Sequence, residues 1–141
     1  MIKRLHQHQP LSTDIASLVL RLLFGGLFVY HGYAKIGLFN EYAPNFLDIG
    51  IGPKASFMLV IFAEFFCGIL VTIGLFTRFA VIPIFITMVV AYFIAHSQHA
   101  FDQKETPFIF LLLSIVIFVL GSGRFSIDEV IQNMRERKKN K

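Results

Sequence analysis

One cysteine in 141 residues, Cys67, leaves the chain without an internal disulfide, a thiolate metal site or a CxxC redox pair. It lies in an apolar run and reads as packing. Motifs for haem, flavin or iron–sulfur binding are missing too, so any electron transfer depends on a borrowed carrier. Internal repeats, low-complexity linkers and nucleic-acid-binding motifs are equally absent. No cleavable leader is expected: the first apolar run is too long for a signal-peptide core, contains Arg21, and has no A-x-A-type site before the next polar stretch.

What the chain has in quantity is apolar surface. Hydrophobic residues make up 55% of it, Phe alone contributes 17, and the mean hydropathy is +0.66. A soluble domain of this length has no core large enough to hide that much, so the sequence predicts an integral membrane protein. Four apolar segments stand out: Ile15 to Ala34, Ala55 to Leu75, Phe79 to Ala95 and Pro107 to Leu120. Crossing the ~30 Å hydrocarbon layer takes roughly 20 helical residues, which the first two supply. The last two suffice if they run on through Gln98 and Gly123. The expected fold is an all-α bundle of four transmembrane helices.

Orientation follows from the basic residues, which are retained on the cytoplasmic side. With both termini inside, Lys3, Arg4, Arg78, Arg124, Arg135, Arg137, Lys138, Lys139 and Lys141 are cytoplasmic, against Lys35, Lys54 and Lys104 outside. Nine against three predicts an N-in, C-in protein of a bacterial cytoplasmic (inner) membrane. The expected organisation is a cytoplasmic segment 1–14, a membrane domain 15–123 and a basic cytoplasmic tail 124–141. Between the first two helices, GLFNEYAPNFLDIGIGPK alternates Phe39, Tyr42, Phe46, Leu47 and Ile49 with polar residues and suits an outer interfacial segment. Ser126 and Glu129 have capping-box spacing, so a short helix should start near Ile127. Its RERKKNK end suits membrane lipids with anionic heads better than nucleic acid.

Ionisable residues within the apolar runs need explanation, because a lone charge in hydrocarbon costs several kcal/mol or more. Arg21, Gly25, Phe28, Gly32 and Lys35 form one helical stripe; Glu64, Gly68, Val71 and Leu75 form another. Gly25, Gly32 and Gly68 let these two helices pack closely. At ~1.5 Å per residue, Arg21 and Glu64 differ in height by only about 8 Å, which makes Arg21 the first choice of partner for Glu64, with His31 or Lys35 second. Such a pair can be purely structural. Toward the outer end, His31, Lys35, Tyr92, His96, His99 and Glu105 reach a similar level. His31 with Lys35 suits a carbonyl or anionic group, or proton transfer. Metal binding is the weaker reading, since neither H-x-x-H at His96 and His99 nor HQH at His6 and His8 has a third spaced ligand.

The chain resembles the DoxX family through RLLFGGLFVYHGYAK (21–35), AEFFCGILVTIGLFTR (63–78), MVVA (88–91), Glu105 and GSGRFSID (121–128). That resemblance singles out Arg21, Gly25, His31, Gly32, Lys35, Glu64, Gly68, Gly74, Arg78, Glu105 and Asp128. It implies a small membrane protein tied to quinone- or thiol-linked redox complexes; many members have no assigned activity. The leading expectation is a redox membrane subunit with a quinone as the bound molecule, Glu64 and His31 as catalytic groups, and Lys35, Tyr92, His96 and Glu105 as ligand-binding ones. The alternatives are a non-catalytic accessory or assembly subunit docking on a larger membrane complex, and a proton-coupled carrier, for which the inverted repeats of transporters are missing. The expected assembly is a homo-oligomer or a larger membrane complex.

Overall fold

The computed structural model describes residues 12–139. The expectations for Lys3, Arg4, His6, His8 and Lys141 therefore concern residues outside that range. Five helices carry the fold: α1 (Thr13–Gly37), α2 (Pro53–Ile73), α3 (Thr77–Ala95), α4 (Phe101–Leu120) and α5 (Ile127–Lys139). Strands are absent among the described residues. The first four helices are long and apolar enough to cross a membrane.

Local chemistry sets the helix ends. Ser12 caps α1, its Oγ accepting from the Ile15 N–H at 3.3 Å. Pro53 starts α2 directly after Gly52, whose φ of 95° few other residues adopt. Gly74, at φ 74°, ends α2. The chain turns at once into α3, so α2 and α3 are antiparallel neighbours as the short connection requires. Phe76 in that turn has φ 48°, and the Asp128 carboxylate holds it by accepting the Phe76 N–H at 2.9 Å. Helix α4 begins at Phe101, one and a half turns before the expected Pro107. Fourteen residues from Pro107 would rise only about 21 Å, so Asp102 to Glu105 extend the helix, with Asp102 in its favourable first turn. Helix α5 starts at Ile127 as expected, with Ser126 Oγ accepting from Glu129 N.

Backbone contact joins α1 to α2. A Cβ on Gly25 would strike Thr72 Oγ1 and lie 2.9 Å from the Gly68 carbonyl oxygen, and one on Gly32 would lie 2.5 Å from Phe65 N. From Gly68 the distance to Val29 N would be 3.1 Å. Around this seam Phe24, Phe28, Cys67, Val71, Val81, Ile84 and Ile117 form the core, and Phe24, Phe28 and Phe110 stack edge to face or tilted. Two short π-helical stretches interrupt the α-helices, Phe62–Phe66 in α2 and Ala91–Ala95 in α3. Such bulges insert a residue into the turn and rotate everything beyond them.

Candidate functional site

At the end of the bundle away from α5, the helices enclose a cavity of about 570 Å³. Its walls are mostly apolar: Phe28 from α1, Val60 and Phe62 from α2, Met88 and Ala91 from α3, Phe110 from α4. Phe46, Leu47 and Ile49 of the α1–α2 connection close part of it. These residues thus form a wall of the cavity as well as a surface segment. Asp48 shapes that connection by accepting the N–H groups of Gly50, Ile51 and Gly52 at 2.8–3.0 Å. The Gly50 and Gly52 bonds hold its carboxyl below the usual carboxylate range.

Against the apolar lining, few polar groups reach the cavity. Ser56 is occupied, donating to Gly52 O at 2.8 Å and accepting from Ile49 N, and Thr87 bonds back to Pro83 O. The distinctive pair is Lys35 and Glu64, whose Nζ and Oε2 stand 2.5 Å apart. Glu64 is buried at 7% side-chain exposure, whereas Lys35 retains 31%. His31, one turn before Lys35, faces the cavity and has no hydrogen bond to protein among the described residues. His96 also lines the cavity, and its Nδ1 lies 2.8 Å from His99 Nδ1, so one of the two rings carries a proton there. No third metal-ligand type joins them among the described residues.

The expected Arg21–Glu64 pair does not form. Arg21 is 1% exposed and donates instead to three carbonyl oxygens: Val71 at 3.4 Å, Thr72 at 3.1 Å and Phe125 at 2.6 Å. Its guanidinium thus takes up carbonyls left open at the C-terminal end of α2 and ties that end to the strap leading into α5. The register explains the difference: Gly32 lies against Phe65, so Glu64 sits level with the residue after Gly32, about 3 Å below Lys35 along the axis. Two further residues lie outside the cavity. Tyr92 packs on Phe93 and Phe108 beneath Lys104, whose Nζ is 4.9 Å from the ring centroid, and Glu105 is exposed on α4. The π turn at Ala91–Ala95 is the cause for Tyr92, because an inserted residue breaks the i, i+4 alignment of Tyr92 with His96.

Arg78 is occupied at the opposite end of the bundle. Its Nε donates to Phe118 O at 3.1 Å, capping the end of α4. The ion pair, His31, His96 and Thr106 are what the cavity offers to a ligand: an ammonium, imidazoles, a hydroxyl, a carboxylate and aromatic walls.

A family model described as DoxX matches residues 16–97. A Bacillus subtilis (strain 168) protein named "Putative oxidoreductase CatD" is 29% identical over 123 residues, covering 85% of this chain and 90% of the relative. No solved structure matches.

Proposed function

The chain belongs to the DoxX family, and on that premise we propose that it is the membrane subunit of a quinone-linked oxidoreductase, with the quinone head held at Lys35, Glu64 and His31. The observation that carries this reading is a 2.5 Å ion pair set into a mostly apolar cavity. An apolar cavity of a few hundred Å³ with a few convergent polar groups is the form of a small-molecule site. The name of the Bacillus subtilis relative, "Putative oxidoreductase CatD", agrees with it.

Reducing a quinone to a quinol takes two electrons and two protons. In this reading Lys35 hydrogen-bonds a quinone carbonyl oxygen and passes it one proton as the electrons arrive, and the Glu64 carboxylate holds the ammonium in position. Water reached past His31 and His96 restores the Lys35 proton and supplies the second. His31 and His96 extend the set of titratable groups toward the end of the bundle away from α5. Electrons come from a reduced partner protein or a soluble reductant, since Cys67 is buried and isolated. In this reading the protein receives electrons from either source while embedded in the bacterial inner membrane with both termini cytoplasmic, as the excess of basic residues at the α5 end supports.

Infrared difference spectroscopy of the protein with a reconstituted quinone, reduced minus oxidised, tests the chemistry. The reading predicts a carboxyl or carboxylate band change that vanishes in Glu64→Gln. A difference spectrum with no carboxyl change, or one identical in both proteins, would contradict it.

A further inference from the structure

Helices α2 and α3 diverge from their common turn. They touch through Phe62–Ile73 against Thr77–Val90, while Pro53–Ile61 packs on Ala43–Asn45 and α1, and Ala91–Ala95 packs on α4. The cavity lies in the cleft this divergence opens. Three residues that line it are also about half exposed: Leu59 and Phe62 on α2, Ile86 on α3, at 51%, 47% and 55%. Phe62 and Ile86 each stand nine residues into their helices, about 14 Å along a ~30 Å span, so what they face is the middle of the hydrocarbon layer. In the other direction, Phe46, Leu47 and Ile49 cover the cavity, and the covering segment is pinned by the Ile49 N–H bond to Ser56 Oγ and by the three N–H groups bonded to Asp48.

We propose that the cavity is filled from within the bilayer, through the cleft between α2 and α3 bounded by Leu59, Phe62 and Ile86, and that its ligand is a tailed amphiphile whose chain leaves by that cleft while its head meets Lys35 and Glu64. The proposal rests on the cavity being a ligand site and deepens the quinone reading by adding the tail and the route. The chemistry is consistent along the path: an apolar tail loses nothing in passing from lipid to a cleft of Leu, Phe and Ile, whereas a polar head gains hydrogen bonds only at its inner end.

The chain contains no tryptophan, so a single introduced one reports without background. Phe62→Trp and Ile86→Trp place reporters on opposite walls of the cleft; if one variant fails to fold, the other still reads the same space. Val119→Trp, on α4 at 69% exposure and away from the cavity, is the lipid-facing control. In nanodiscs with bromine-labelled acyl chains, the cleft reporters should be quenched as strongly as the control and resist aqueous iodide. A dimethoxy-methyl-benzoquinone bearing a decyl chain should then quench both cleft reporters saturably and the control only in proportion to its concentration.

Quenching of the cleft reporters by iodide and not by bromolipid overturns the lateral route, and leaves the quinone reading standing if the decyl quinone still saturates. Bromolipid quenching with a saturable response to dibrominated stearate, and none to the quinone, keeps the tailed ligand and removes the quinone. Proportional responses to both amphiphiles at all positions overturn the proposal.

Discussion

Lys35 and Glu64 depend on one another. Removing either leaves a charge in surroundings that oppose it, and losing one partner of a buried pair costs up to 3–5 kcal/mol, less here because Lys35 remains 31% exposed. Glu64→Gln and Lys35→Met should each lower bundle stability by about 2 kcal/mol, and the double variant should recover about half of the summed loss. Thermal unfolding of the four proteins in one detergent checks this; additive losses would mean the two groups do not interact. Arg21 serves a different purpose, since it bonds carbonyls and no carboxylate. Lysine keeps the charge but lacks the fork that reaches both Thr72 and Phe125, so Arg21→Lys should cost about 3 kcal/mol. Because the loss lies at the other end of the bundle, quinone affinity in the folded fraction should stay unchanged.

The helices show how far the sequence could be read. Apolar run length, turn residues and capping-box spacing are enough to find four spans and the start of α5, because each is a local property. The bounds are less legible, since α3 and α4 stop at Ala95 and Leu120 instead of running on through Gln98 and Gly123, and α4 gains its length at Phe101. The partner of Glu64 was not local. Heights measured from assumed membrane boundaries favoured Arg21, whereas the register is set where Gly25 and Gly32 meet the α2 backbone; aligning the glycines first would have led to Lys35. The two π turns left no signal in composition or spacing, which is why Tyr92 was expected beside His96. The glycine seam makes its own prediction. Gly32→Ala and Gly25→Ala force backbone apart and should cost more than about 1 kcal/mol each, while Gly26→Ala, with open space at its Cβ, should be neutral or mildly stabilising. Unfolding midpoints of the three variants separate a packed seam from general helix propensity.

A titration belongs to the α1–α2 connection. The backbone N–H groups on Asp48 hold its folded carboxyl below its ordinary value of 3.8. A depressed carboxylate contributes stability that is fully present above the unfolded value and is lost as pH falls through the folded one. Protection of the Gly50 to Gly52 amides from hydrogen exchange should therefore be constant above about pH 4 once intrinsic exchange is corrected, and decline below it. In Asp48→Asn the decline should disappear. A flat profile in the unchanged protein would show that the carboxylate does not hold this segment.

At the scale of the whole molecule the two ends of the bundle have separate tasks. The α5 end is tied together by hydrogen bonds, Arg21 to Phe125, Asp128 to Phe76, and Asp128 N to Gly74 O at 3.0 Å, beside an open polar cavity of about 510 Å³ lined by Asp14, Arg78, Arg124 and Asp128. The opposite end holds the apolar cavity, with aromatic walls and one ion pair, and on the proposed route its opening faces lipid. On the proposed reading, a half tied by hydrogen bonds supports a half that accommodates a guest. The central claim is that the guest is a quinone held by Lys35 and Glu64. Native mass spectrometry of the protein extracted gently from its host membranes tests it most directly. The account predicts a retained quinone mass in the unchanged protein and its loss from folded Glu64→Gln; a chain that carries no quinone, or carries it equally in both proteins, would contradict it.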